Sequence, residues 1–273
     1  MSTRHDVSGL ESLQRKFPQR ATSWQLRETR MQFLNRPLLM GIVNVTPDSF
    51  SDGGRFFSTV RAVEHALELV EQGADLLDVG GESTRPYAAP VDEAEELRRI
   101  VPVIERVCQA TDVPVSVDTS KAQVAQCGLE AGAQVINDVT GLSGDPKMID
   151  VALRLRPGLC VMHMQGTPQT MQDEPRYDNV VSDISHYLRE RRDVLLRAGI
   201  AQDRLCLDPG IGFGKTHQHN LTLMAHCEEF HELGCPLLVG HSRKGFLAKF
   251  LGDAEADRTA ATVGAALALA QRG

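Results

Sequence analysis

Asn44, Asp78, Asp118, Asn137, His163, Asp208 and His241 share one placement: each stands at the end of a short apolar or β-branched run. Three of them form a usable set. A heterocycle with a guanidine-like edge needs the two acceptors of a carboxylate and an amide that both donates and accepts. Asp118 (in Ser116-Val-Asp-Thr), Asn137 (in Val135-Ile-Asn-Asp) and Asp208 (in Leu207-Asp-Pro-Gly-Ile-Gly-Phe-Gly-Lys) supply it. Asn44 lies within Met40-Gly-Ile-Val-Asn-Val-Thr-Pro-Asp-Ser-Phe-Ser-Asp-Gly-Gly, a strand running into a polar glycine-rich loop. Its neutral amide oxygen suits a hard cation such as Mg²⁺ beside substrate phosphates, although a lone Asn at such a place is more often a turn cap. Arg85, in Gly80-Gly-Glu-Ser-Thr-Arg-Pro, can grip a carboxylate or phosphate in a bidentate fork; taken alone it reads as a solvated charge. Ser242, Arg243 and Lys244 open a helix after the seventh apolar run, a usual anion site in α/β barrels.

Other motifs carry less. The glycines of 209–215 do not make a P-loop, because the Lys215 spacing is wrong for one. His163, in Met162-His-Met-Gln, reads as a hydrogen-bonded structural histidine before a metal ligand. His217 and His219 are expected to cap the helix that follows, and the acidic run Asp92–Glu96 to open a helix with favourable dipole placement.

The elements that must position these groups alternate regularly. Candidate strands are Leu38–Val45, Asp75–Val79, Pro114–Asp118, Ala133–Asn137, Leu159–His163, Arg204–Asp208 and Pro236–Gly240. Between them, Ala62, Val63, Ala66, Leu67, Leu69 and Val70 recur at helical spacing, as do Leu97, Ile100, Val101, Ile104 and Val107. Further helices are expected over Val180–Ala198, His219–Leu233 and Arg258–Gln271. Near-continuous apolar strands alternating with helices imply a parallel sheet covered on both faces. A barrel and a doubly wound sheet both fit. The polar residues decide between them: they end almost every strand, which converges them on one mouth only in a ring, whereas an open sheet concentrates a site at one switch point. Ser23–Leu34 reads as a hairpin plugging the bottom of the barrel, and residues 1–20 as a mobile or weakly helical polar extension.

Composition excludes several classes. The 273 residues suit one barrel of roughly 250 residues. The formal net charge of −7 disfavours a nucleic-acid or anionic-membrane partner, and 5% aromatic residues is poor for base stacking. No apolar run reaches the ~18 residues of a membrane span, and residues 1–20 lack the apolar core of a signal peptide. Cys108, Cys127, Cys160, Cys206, Cys227 and Cys235 contain no Cys-x-x-Cys pair, so they read as buried thiols in a reducing cytosol.

Seven ordered blocks, from Leu38 to about Gly273, resemble the dihydropteroate synthase family: the Asn-Val-Thr-Pro-Asp-Ser-Phe-Ser-Asp-Gly-Gly loop, Gly-Gly-Glu-Ser-Thr-Arg-Pro, Ser-Val-Asp-Thr, Ile-Asn-Asp, Met-His-Met-Gln-Gly, Asp-Pro-Gly-x-Gly-Phe-Gly-Lys and Ser-Arg-Lys. The resemblance implies a (β/α)8 TIM barrel of pterin-binding type over 23–273, preceded by a 1–22 extension, and a homodimer. It implies that Asn44 contacts Mg²⁺ and diphosphate. Asp118, Asn137, Asp208 and Lys244 would hold the pterin, in a pocket lined by Met162, Val139, Phe213 and Gly240. Thr84, Arg85 and Pro86, with Ser242, would build the 4-aminobenzoate site on mobile loops. Asp118, Lys244 and Arg85 would be the catalytic residues. The family's eighth strand carries an Arg-x-His motif that grips diphosphate, and this sequence reaches Gln271-Arg272-Gly273 before it. The expectation is therefore a C-terminally incomplete barrel with weak diphosphate binding. A pterin-dependent methyltransferase and an inactive pterin-binding paralogue are the competing readings; Thr84-Arg85-Pro86 and Ser242-Arg243-Lys244 argue against the first.

Overall fold

A computed structural model describes residues 13–33, 36–46, 54–85, 88–253 and 255–273. A short antiparallel hairpin comes first, β1 (Ser23–Gln25) with β2 (Arg30–Gln32). Six parallel strands follow: β3 (Met40–Asn44), β4 (Leu76–Gly80), β5 (Val115–Asp118), β6 (Val135–Asp138), β7 (Gly158–Met162) and β8 (Leu205–Asp208). Helices α1 (Gly54–Glu71), α2 (Glu93–Ala110), α3 (Ala122–Glu130), α4 (Met148–Leu155) and α5 (Val180–Arg197) alternate with them. The chain continues through α6 (His217–Ala225), α7 (Gly245–Leu251) and α8 (Thr259–Ala270).

Each strand pairs with the next in sequence and the order never reverses. A doubly wound sheet requires such a reversal, so the order is that of a barrel. β4, β7 and β8 are buried along their whole length because neighbours flank them and helices cover them. β3 alternates between buried and exposed residues, and Ile42 is 49% exposed. Among the described residues it is paired on one side, by β4.

Two elements differ from expectation. The seventh strand, 236–240, forms only a bridge: Leu237 pairs with Leu207, and β8 is its one partner among the described residues. Pro236 has no N–H to extend the ladder, although its carbonyl accepts from Leu207 N at 2.8 Å. The helix expected over 219–233 breaks at His226, which leaves helical geometry, and a 3₁₀ segment over Cys227–Leu233 takes its place.

The hairpin lies where the sequence places it. Trp24 and Leu26 pack with Leu76, Val135 and Cys206, which lie at the starts of their strands, so the hairpin closes the end opposite the strands' C-terminal ends. The Trp24 indole N–H donates to Arg204 O at 2.9 Å, satisfying its one polar atom. The described part of the N-terminal extension is docked: Phe17 packs on His231 with ring centroids 5.4 Å apart, and Arg20 Nε donates to Gly273 O at 2.6 Å. The first twelve residues of the expected extension lie outside the described residues.

Candidate active site

Register aligns the polar strand ends. Asn44 pairs with Gly80, Gly80 with Asp118 and Asp118 with Asn137; Met162 pairs with Asp208. Parallel strands in register carry equivalent residues to the same end, so Asn44, Asp118, Asn137 and Asp208 share one mouth. Thr119 N donates to Asn137 O at 3.0 Å and extends the β5–β6 ladder just past Asp118.

The central side-chain link within the mouth involves Asp78, which the sequence groups with the strand-end residues without a chemical role and the structure places instead at the centre of β4. Asn137 Nδ2 donates to Asp78 Oδ2 at 2.9 Å, and Asp78 is only 4% exposed. This bond orients the Asn137 amide. Burial raises the Asp78 carboxyl to about 6, and the charge of Asp208 adds to the rise, against the Asn137 hydrogen bond. Asp118 is held well above the usual carboxylate range, first by burial and then by Asp78, Glu96, Asp138 and Glu82. The strand pattern carries the signal for Asp78: a carboxylate at the centre of Leu76-Leu-Asp-Val-Gly shares one face with Leu76 and Gly80.

A raised carboxyl has a direct consequence for folding. Protonated Asp78 is tolerated and ionised Asp78 is penalised, so its contribution is complete below about 4 and is lost as pH rises through about 6. The isosteric Asp78→Asn variant keeps an acceptor for Asn137 and removes that loss. Without ligand, its melting temperature should exceed the wild type at pH 8 and converge toward it near pH 4, the gain in stability being at most about 3 kcal/mol. Equal destabilisation at both pH values would show that Asp78 is not the titrating group.

On the other side of the mouth, residues 209–215 form a tightly tied loop. Asp208 Oδ1 accepts from Gly210 N at 2.7 Å, Asn220 Oδ1 from Gly212 N at 2.7 Å, and the Tyr177 hydroxyl donates to Gly214 O at 2.8 Å. Gly210 has φ +69°, and a Cβ there would lie 1.9 Å from His163 O, so only glycine lets the loop cross the end of β7 this closely. The Lys215 ammonium is buried, donates to Phe213 O at 2.8 Å and sits 3.0 Å from His163 Nδ1. Burial and the charge of Lys215 push His163 down to about 3, which leaves it neutral as the acceptor of that pair. His163 is therefore structural, as its sequence context suggests. His219 likewise completes a capping box with Thr216 at the start of α6.

Lys244 enters from the start of α7. Arg243 takes a left-handed φ of 54°, its N–H donates to Thr262 Oγ1 at 3.0 Å, and its carbonyl accepts from Arg258 at 3.0 Å. Lys244 Nζ then donates to Ile211 O and stands 4.5 Å from the centroid of Phe213, a cation–π arrangement. Gly240 faces the same ammonium, its Cβ direction ending 3.7 Å from Nζ. Burial lowers Lys244 to about 8 and Lys215 to about 7, and Asp208 opposes both shifts. Asp208 is raised by burial and pulled back by the Gly210 bond and the two lysines. Both lysines thus depend on one buried carboxylate.

The structure therefore gathers Asp118, Asn137, Asp208, Lys244, Phe213, Met162 and Gly240. Thr84 is half-buried on the β4–α2 loop, Arg85 is exposed beside it, and Ser242 is exposed before α7. Pro86 and the 47–53 loop after Asn44 lie outside the described residues. Among the described residues no cluster of three or more His, Cys, Asp or Glu side chains could hold a metal ion. Asn44 is exposed at its strand end, so its amide oxygen is available to a cation that keeps most of its own water.

Residues 40–273 match the pterin binding enzyme family. Dihydropteroate synthase of Escherichia coli strain K12 is 45% identical over 240 residues, spanning 88% of this chain and 85% of that protein. The structure of Xanthomonas albilineans dihydropteroate synthase with 4-aminobenzoic acid superposes with a TM-score of 0.85 at 45% identity, covering 93% of this chain and 90% of that one. The same enzyme in complex with 7,8-dihydropteroate gives 0.82 at 43% identity, with 92% and 90% covered.

Proposed function

The chain belongs to the dihydropteroate synthase family of pterin-binding enzymes, and from that premise we propose how its residues carry the reaction. The reaction condenses (7,8-dihydropterin-6-yl)methyl diphosphate with 4-aminobenzoate, giving 7,8-dihydropteroate and diphosphate. The observation that supports the assignment best is the gathering of Asp118, Asn137, Asp208 and Lys244 at one barrel mouth, with Asn137 oriented by Asp78.

The pterin presents an amino-pyrimidine edge of donors and acceptors. Asp208 accepts from its guanidine-like portion, Asn137 both donates and accepts, and the Lys244 ammonium donates to a ring acceptor. Phe213, Met162, Val139 and Gly240 line the ring. Departure of diphosphate leaves positive charge on the pterin methylene, and ionised Asp118 stabilises it electrostatically. The arylamine is neutral at pH 7, so attack needs no strong base. Thr84, Arg85, Pro86 and Ser242 hold the 4-aminobenzoate, with the Arg85 guanidinium suited to its carboxylate, and exclude water that would trap the cation. Asn44 would hold Mg²⁺ at the diphosphate, where the ion's charge lowers the cost of the leaving group.

The same reading takes the protein as a cytoplasmic homodimer. All six cysteines are free, and no helix of the described residues is long and apolar enough to cross a membrane. α8 is apolar yet buries none of its residues, with Val263 54% and Leu267 62% exposed, and Phe250 on α7 is 66% exposed. An apolar face of this kind suits a second copy.

Pyrophosphate release by the purified protein tests the assignment. Release should require both the pterin diphosphate and 4-aminobenzoate, and should stop when Mg²⁺ is chelated and return when it is restored. Pterin binding with no release under any condition would favour a binding-only protein.

A further inference from the structure

The β4–α2 loop carries Thr84 and Arg85, and a single side chain fastens its two ends. Glu82 Oε1 accepts from Val91 N at 3.2 Å, so the carboxylate at the loop entry bonds the backbone at its exit. Its other oxygen, Oε2, accepts from Lys121 Nζ. That ammonium also donates to Glu96 Oε2, whose side chain is 1% exposed. The entry is pinned a second time where Arg99 Nη1 donates to Gly81 O at 2.8 Å. Gly81 presses so closely on α2 that a Cβ would come within 2.8 Å of Ile100 Cγ2. At the exit, Asp92 accepts from Glu95 N at 2.7 Å and starts α2.

The members of this ion triad are not equivalent. Glu96 is fully buried, and removing its cation would leave an unpaired charge in the core, so Lys121–Glu96 is the fixed point. Glu82 is about a quarter exposed and bridges that fixed point to the loop. Lys121 follows Asp118 by three residues. The strand end that carries the cation-stabilising carboxylate is therefore tied through Lys121 to the loop that carries Arg85.

We propose that Glu82 is the positioning residue of the 4-aminobenzoate loop: its carboxylate clamps the entry and the exit of the loop onto the Lys121–Glu96 pair and so sets where Thr84 and Arg85 stand. This rests on the reading above that the loop builds the arylamine site. Glu82 acts through the loop and not by touching substrate.

Glu82→Ala leaves the Lys121–Glu96 pair and the barrel intact. It should raise KM for 4-aminobenzoate about tenfold, the loss of one charge-assisted tie. The affinity for the pterin diphosphate, read by calorimetry, should stay within about twofold. Hydrogen exchange at the Val91 amide should accelerate in parallel. Glu82→Gln retains an acceptor for Val91 N and should recover part of the loss; it also serves if the alanine variant folds poorly. Arg85→Ala is the control for the underlying reading. If Arg85→Ala raises that KM and neither Glu82 variant does, the clamp is refuted while the loop assignment stands. If Arg85→Ala leaves KM unchanged, the loop assignment itself falls, and the clamp with it. Equal losses for pterin and 4-aminobenzoate in Glu82→Ala would make the triad a general structural brace and overturn the proposal.

Discussion

Asp118→Asn should lower the rate of diphosphate release by about 10²–10³-fold, with little change in pterin affinity. The substitution keeps shape and removes the negative charge proposed to face the developing cation. An interaction realised mainly in the transition state alters kcat more than ground-state binding. The pH profile supplies a second signature. Burial and the surrounding carboxylates hold Asp118 well above the ordinary range, and a neutral acid cannot stabilise a cation. Wild-type kcat/KM should therefore fall on the acid side as Asp118 and its neighbour Asp78 take up protons. The Asp118→Asn variant should lose the part of that limb due to Asp118. Single-turnover release measured across pH decides the matter. A variant with near wild-type release, or with an unchanged acid limb, would remove Asp118 from the chemistry.

Asp208→Asn should act on binding. The carboxylate is the charged acceptor proposed for the guanidine-like edge, and it also sustains the charge of Lys244 and Lys215. The asparagine keeps an oxygen for Gly210 N, so the loop retains its turn. The proposed pterin contact loses its charge, and the Lys215 and Lys244 ammonium groups lose their compensating neighbour. The calorimetric Kd for the pterin diphosphate should rise about a hundredfold or more, whereas KM for 4-aminobenzoate at saturating pterin should stay close to wild type. A pterin affinity within a few-fold of wild type would place the recognition carboxylate elsewhere, with Asp78 the nearest alternative. Asp78 bonds Asn137 and feels the charge of Asp208, so the three side chains form one network whose double variants should be non-additive.

Pairing and burial are the properties that the linear chain conceals. The 236–240 segment has the composition of a strand and yet forms a single bridge, because Pro236 brings no N–H and because a ladder also depends on neighbours that the segment itself does not specify. Residues 1–20 read as a mobile or weakly helical polar extension; residues 13–16 are helical, and Phe17 and Arg20 dock where His231 and Gly273 come beside them from the far end of the chain. Glu96 looks like one more acid in a helix-opening run. Its burial against Lys121 becomes visible only when α2 and the end of β5 are brought together.

By itself the amino-acid sequence determined the alternation of strand and helix, the hairpin beneath the barrel, and the residues Asn44, Asp118, Asn137 and Asp208 at one end of it. These follow from local apolar runs and from the few ways such runs can be connected. The tertiary structure alone decided that Asp78 orients Asn137, that one carboxylate serves Lys215 and Lys244, and that Glu82 fastens both ends of its loop. Each of those is an electrostatic or hydrogen-bonded contact between groups that only the fold brings together. Its strength comes from desolvation, which no residue carries until the fold has removed the water around it.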